Sequence, residues 1–311
     1  SAGDVPLGTQ GNLFGITGGE GTGKSNYVAA IVAGCICPAG ADIDTLGVQI
    51  TANGRHKAVL LYDTEQSEVQ LFKNVNNLLT RAKQPDKPDE LKAFCLTGMS
   101  RKERLNAIVQ SMDKFYYQYG GIQLVVIDGI ADLVKSANDE AESVAVIDEL
   151  YRLAGIYNTC ILCVLHFVPN GLKLRGHLGS ELQRKAATIL SIEKDEEPTQ
   201  SVVKALKVRD GSPLDVPLML FAWDKKAGMH TCRGEKPRKE KEKRKERELV
   251  CVARDVFGRQ KRITYIDLCE QLQQILDIKE RTAKNYIRFM RERDIIIKDT
   301  ANQSYFVIGS I

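Results

Sequence analysis

Short apolar runs alternate with longer stretches of helical period along the first two thirds of the chain. The runs Leu13–Ile16, Ala58–Tyr62, Lys92–Leu96, Leu124–Ile127, Thr159–Leu165, Ile189–Glu193, Val202–Val208 and Leu218–Ala222 are short and mostly apolar, as buried strands are. Between the earlier ones, Glu68–Ala82, Arg101–Tyr119 and Glu140–Tyr157 return apolar residues at the spacing of an amphipathic helix. Strands that are apolar throughout, alternating with helices, predict an α/β domain over residues 1–232 with a mainly parallel sheet. The last three runs follow too closely for helical crossovers, so they predict an antiparallel extension.

The pattern then changes twice. Residues 233–248 (RGEKPRKEKEKRKERE) contain no large apolar side chain and predict either a solvated linker or a charged extension of the next helix. From 249 to 311 the pattern is that of a small separate domain. Leu249, Val252, Ala253 and Val256 mark one helix. Thr264-Tyr265-Ile266-Asp267 resembles a capping box that opens a second, and Ile278 to Arg293 reads as a third. Ile295–Ile297 and Tyr305–Ile308, separated by a polar turn, predict a hairpin. Three helices and a hairpin make a winged-helix arrangement.

Candidate chemistry begins directly after the first strand. The run Gly18-Gly19-Glu20-Gly21-Thr22-Gly23-Lys24-Ser25 fits G-x-x-x-x-G-K-[ST] at every fixed position, and Asn26 and an apolar helix follow. Glycines let successive backbone N–H groups converge on phosphates, and the helix N-terminus favours the anion. Lys24 is expected at the β- and γ-phosphates of a nucleotide and Ser25 at Mg²⁺.

Phosphate binding alone does not imply hydrolysis. Leu124-Val125-Val126-Ile127-Asp128 places a carboxylate at the end of an apolar strand, where ligands of open α/β sheets bind. Asp128 is therefore the second expected Mg²⁺ residue, opposite Ser25. Many motor ATPases carry their catalytic Glu at the next position, and this chain has Gly129 there. The base must come from elsewhere. Glu65, just past the strand ending at Tyr62, is the leading candidate; Asp63 and Glu68 are the other acids nearby. The alternative for Glu65 is an acid that merely stabilises a helix N-terminus.

With these residues in place, the chain resembles RecA-type ATPases, and among them the RepA-like and DnaB-like ring helicases of plasmids, phages and mobile elements. The similarity runs over about residues 5–222. Beyond the phosphate loop, Glu65 and Asp128, it includes the strand end Leu165-His166 and Lys207-Val208-Arg209-Asp210-Gly211 ahead of Val216–Phe221. The resemblance implies a RecA-like P-loop NTPase core, ATP and Mg²⁺ as cofactors, and a homo-oligomer in the form of a hexameric ring on single-stranded DNA. It implies that His166 senses the γ-phosphate and that Lys207 and Arg209 reach the γ-phosphate of a neighbouring subunit, with Arg184 and Lys185 as a second source of such cations. The loop from Phe167 to Leu182 would face the ring's channel, and Lys135, Lys173 and Arg175 would grip the DNA backbone. Some relatives join such a core to a primase, so a primase or another replication or mobilisation protein is an expected partner. The start at Ser1-Ala2-Gly3, close to the first core strand, suggests a fragment of a larger protein.

Charge bears on the C-terminal part. The net +4 of the chain divides into −3 for residues 1–232 and +7 for residues 233–311. A basic segment suits an anionic partner. Lys284, Arg288 and Arg291 on the third predicted helix are the expected contacts to nucleic acid, with docking to a protein as the alternative. No apolar run is long enough to span a membrane. The eight cysteines are scattered and several sit in apolar runs; Cys160 and Cys163 share a strand and read as buried thiols, so a reducing cytoplasm is expected. The sequence thus predicts an ATP-hydrolysing DNA motor. Its rival is a nucleotide-gated adaptor that binds DNA without unwinding it.

Overall fold

A computed structural model describes residues 1–166, 176–237 and 240–309, the side chains of 240–247 and 259 excepted. They form two compact units, Ser1–Lys236 and Pro237–Ile311.

The first unit is built on one sheet. β1 (Leu13–Gly18) leads through the glycine-rich loop into α1 (Lys24–Ile36). The chain continues through β2 (Ala58–Asp63), α2 (Glu68–Arg81), β3 (Leu91–Cys95), α3 (Arg101–Tyr119), β4 (Ile122–Asp128) and α4 (Glu140–Ile156). Next come β5 (Cys160–His166), α5 (Gly176–Lys185), β6 (Thr188–Lys194), β7 (Gln200–Val208), β8 (Met219–Asp224) and β9 (Met229–Glu235). The strand order is β3-β2-β4-β5-β1-β6-β7-β8-β9. Pairings from β3 to β6 are parallel, and those from β6 to β9 are antiparallel.

The apolar runs become central strands because both faces of the sheet are covered. In β4, Leu124 and Val126 enter the core shared with α1 and α2, while Val125 and Ile127 enter the one shared with α3, α4 and α5. Alternation along a strand sends neighbours to opposite faces, so a doubly covered strand must be apolar at every position. Helix boundaries follow local chemistry. Ser100 caps α3, and the Glu103 carboxylate accepts from the Ser100 N–H at 2.7 Å. Gly120 closes the helix in the left-handed conformation.

β5 lies between β1 and β4. Across the sheet Gly18 is level with His166, Val164 with Asp128, and Asp128 with Asp63. The crossover from β1 to β2 and the return to β5 make this the point where strand order reverses. The architecture is that of a RecA-like P-loop NTPase core with a mainly parallel sheet.

Among the described residues, the short helix α5, the edge strand β9 and a 3-10 turn at Ile130–Leu133 lie outside the predicted set. β9 carries the sheet to Glu235, so the first residues of the charged run belong to the core, past the boundary expected at 232. From Glu240 the run is helical.

The second unit contains α6 (Glu240–Arg259), β10 (Ile263–Thr264), α7 (Tyr265–Leu276), α8 (Glu280–Glu292), β11 (Ile296–Lys298) and β12 (Tyr305–Ile308). Its antiparallel sheet has the order β10-β12-β11. Val256, Leu268, Leu272, Ile287, Met290 and Phe306 centre its own core. Thr264 caps α7, accepting from the Asp267 N–H at 3.2 Å. Asp267 is a methylene shorter than Glu, and its carboxylate takes the Thr264 hydroxyl proton at 2.6 Å instead of the backbone N–H of a full capping box.

Candidate functional site

The glycine-rich loop rises from the C-terminal end of β1. Gly23 stands at φ 94° as the N-cap of α1, and a Cβ there would lie 2.8 Å from the Phe221 ring, so only glycine fits. Lys24 is buried, and its Nζ donates to Gly18 O at 3.0 Å and Gly19 O at 2.7 Å. The Thr22 hydroxyl donates to the same Gly19 carbonyl at 2.9 Å. Burial lowers the Lys24 pKa, opposed by Asp128, Glu65 and Glu20. The amine thus sits among acids in the lining of a cavity of about 340 Å³. Gly21, Gly23, Ser25 and Asn26 line that cavity from the loop side, and Glu65, Asp128 and His166 line it from the sheet side.

The sheet side is built from three strand ends. Asp63 ends β2 almost fully buried, and its Oδ1 accepts from the N–H groups of Glu65 at 3.0 Å and Gln66 at 2.8 Å. Asp63 therefore shapes the turn that presents Glu65, with Oδ1 occupied as an acceptor, and Glu65 is the acid of this turn that lines the cavity. Glu68 lies in the first turn of α2, where the helix dipole favours an acid. Thr64 Oγ1 donates to the carbonyls of Asp128 at 3.0 Å and Gly129 at 2.8 Å, locking the ends of β2 and β4 together.

Glu65 Oε2 is 3.3 Å from His166 Nε2. That hydrogen bond, with the charges of His166 and Lys24, holds the Glu65 pKa below its ordinary value against the opposing effect of burial. A carboxylate kept ionised beside a phosphate cavity is what a base for water requires. Asp128 differs: burial, then the neighbouring Asp63 and Glu65 carboxylates, pushes its pKa up to about 7. It is an oxygen donor with more negative charge around it than Lys24 offsets.

A divalent cation suits that imbalance. Ser25, on the first turn of α1, and Asp128 supply hard oxygen donors to the same cavity. Among the described residues no group of three His, Cys, Asp or Glu could hold a metal unaided. Mg²⁺ held jointly with nucleotide phosphates does not need one, because it retains water and takes one or two protein ligands.

Gly129 explains the missing acid after Asp128. It stands at φ 100°, and a Cβ there would lie 2.3 Å from Thr64 Oγ1, 2.7 Å from Glu65 Cγ and 2.9 Å from Glu65 Oε1. The side chain of Glu65 fills the space that a residue at 129 would need.

Other nominated residues lie elsewhere. Lys207 Nζ donates to Gln183 O at 2.7 Å and Arg184 O at 3.1 Å. Arg209 bonds Lys185 O at 3.3 Å and Asn12 Oδ1 at 3.2 Å. Both therefore cap the C-terminal carbonyls of α5 at the end of the sheet remote from Gly18. The Arg184 and Lys185 side chains pair with Glu181 and Asp148. Lys135 is exposed in the loop after β4. Lys173 and Arg175 lie outside the described residues. In the second unit, Lys284 pairs with Glu280, Arg288 with Glu292, and Arg291 lies over the Phe306 ring at 5.8 Å.

His230 also lines the cavity, and nothing in the sequence singles it out. It sits on an edge strand with no motif around it. The register of β9 against β8, visible only in the fold, brings it to the loop.

A glycine-rich phosphate-loop motif with the Asp128 and Glu65 carboxylates beside it, at one end of a RecA-like sheet, is the arrangement of an ATPase of the P-loop type. The profile of a protein family described as an AAA domain matches residues 5–170, more than half of the chain, and the protein belongs to that family. No curated protein matches the chain. No helix among the described residues is long and apolar enough to cross a membrane.

Proposed function

We propose that this P-loop ATPase is a ring-forming, RecA-type motor that moves along or remodels single-stranded DNA in the replication or mobilisation of a mobile element. The observation that carries the multi-subunit reading is the position of Lys207 and Arg209. Arg209 bonds Asn12, six residues before Gly18, which is roughly 20 Å along an extended strand. A cation placed there is out of reach of its own phosphate loop and is available to that of another subunit.

Within one subunit the proposed roles rest on the cavity lining. Lys24 and the loop N–H groups bind the β- and γ-phosphates. Ser25 and Asp128 would hold Mg²⁺, which neutralises charge building on the phosphate oxygens. Glu65 orients the attacking water and receives its proton on the carboxylate, while His166 fixes the direction of that carboxylate through its Nε2 contact. A neighbouring Lys207 and Arg209 would offset negative charge in the transition state.

The adaptor reading has one observation in its favour. Lys284 and Arg288 on α8 each pair with an acid of the same helix, which reduces the charge they offer to DNA and suits a protein partner. In the motor reading the winged-helix-like unit contacts nucleic acid; in the adaptor reading it docks a protein such as a primase. Strand displacement on a forked duplex separates the two. The motor predicts ATP-dependent displacement, hydrolysis stimulated by single-stranded DNA, and a hexameric mass in solution. ATP hydrolysis without displacement favours the adaptor. A Lys24→Ala variant that hydrolyses ATP at the normal rate would exclude both.

A further inference from the structure

The phosphate side of the cavity is explained by the residues above, but His230, which lines it from the β8–β9 hairpin, is not. Trp223 and His230 face each other across the hairpin in register, with ring centroids 5.4 Å apart and planes at 78°. Trp223 is 53% exposed, whereas nearby Phe221 is fully buried. Phe221 packs against Tyr27 of α1 at 6.0 Å and edge-on to His230 at 5.7 Å. It also occupies the space above Gly23. A continuous series of contacts thus runs from the phosphate loop through Phe221 to His230 and out to Trp223.

The hairpin is held firmly in this position. Arg81 Nη2 donates to His230 O at 2.6 Å, and Asp44 Oδ2 accepts from Cys232 N at 2.7 Å. His230 Nδ1 is buried without a hydrogen-bond partner among the described residues. Burial, and then Lys194 and Arg81, lower the pKa of the ring and so favour its neutral form. A flat imidazole lining the cavity, beside a half-exposed indole, fits a planar heteroaromatic ligand better than it fits phosphate.

We propose that the β8–β9 hairpin is the nucleobase subsite of the ATPase, with His230 lying against the base and Trp223 forming its outer wall. The inference rests on nucleotide binding at Gly18–Ser25. The base must lie beyond the phosphates, and His230 is the cavity residue that belongs neither to the phosphate loop nor to the ends of β2, β4 and β5. Phe221, wedged between Gly23 and His230, sets the spacing between the two ends of the nucleotide.

Trp223 is the chain's single tryptophan, so its emission reports on the site directly. Full-length protein with Mg²⁺ is titrated with ATP and, separately, with inorganic tripolyphosphate, which offers the phosphates without a base. Wild type is expected to change its tryptophan emission with ATP only, while tripolyphosphate competes with ATP for binding. His230→Ala is expected to weaken ATP binding about tenfold and leave tripolyphosphate binding within about twofold of wild type, with His230→Phe restoring ATP affinity. Trp223→Ala, a change at an exposed position, should also weaken ATP and spare tripolyphosphate, read by isothermal titration calorimetry because this variant has no tryptophan. Unchanged ATP affinity in these variants, or an equal loss for both ligands, overturns the base subsite and leaves the phosphate site standing. Failure of wild type to bind either ligand overturns nucleotide binding itself, and the subsite with it.

Discussion

Glu65, the proposed base, lies two residues beyond its strand, and three neighbours set its position. Asp63 turns the backbone, Thr64 ties the turn to β4, and Gly129 leaves the carboxylate room. Gly129→Ala would push a methyl group against Glu65 Cγ and Thr64 Oγ1. Displacing a catalytic group by about 1 Å costs on the order of 100-fold in rate. Steady-state kinetics should therefore show kcat falling by that order, with KM for ATP within a few-fold of wild type. Glu65→Gln should lower hydrolysis by about 10²- to 10⁴-fold while ATP still binds, as measured by equilibrium binding. Retained hydrolysis in Glu65→Gln would move the base elsewhere. The sequence makes part of this site legible: a fixed-spacing loop, an acid ending an apolar run, and a glycine where an acid is common. It does not make the reason for that glycine legible, because the collision involves residues from two strands that meet only in the sheet. Asp63, conspicuous as an acid, is spent on backbone N–H groups. His230 carries no local signal.

Elements were legible in proportion to how much of their surface is buried. α3 spans Arg101–Tyr119, the stretch its period predicts, and the strands of the parallel core lie within a few residues of their apolar runs. β9 is an edge strand with partly exposed residues, so it lacks a continuous apolar run. α5 has two glycines and buries only Leu178, Gly179 and Leu182, too little for a clear helical period. β10 is a two-residue pairing that exists only because β12 lies beside it. In the second unit, Thr264 ends β10 and caps α7, so its side chain joins two elements. Thr264→Ala removes both its contacts to Asp267 and should cost about 1 kcal/mol. For a unit of this size that corresponds to a fall of about 4–8 °C in the melting temperature of its own transition. Calorimetry should register the shift while nucleotide binding by the first unit stays unchanged. An unshifted transition would mean the cap contributes nothing.

At the scale of the whole molecule, the first unit sets the two proposed parts of a shared hydrolysis site at opposite ends of its sheet. Its phosphate loop, Glu65 and Asp128 lie at one end of the sheet, and Lys207 and Arg209 lie at the other, bound to the last carbonyls of α5. If the second set acts on a neighbour, each working site contains Glu65 from one chain and Arg209 from the next, as in a head-to-tail ring. Glu65→Gln and Arg209→Ala assemblies should each be inactive alone for different reasons. Where a Glu65→Gln chain presents its intact Arg209 to an Arg209→Ala chain with an intact Glu65, the shared site is whole. Random co-assembly at equal amounts makes about one interface in four complete, so the mixture should recover up to about a quarter of the wild-type rate. Because Arg209 also bonds Asn12 and the end of α5, Arg209→Gln, which keeps a donor without the charge, should serve equally well in the mixture. Recovery with either variant assigns the charge to the neighbour. If the mixtures stay inactive, or if Arg209→Ala alone keeps the full rate, the cations only brace α5 against β1, and hydrolysis is complete within one chain.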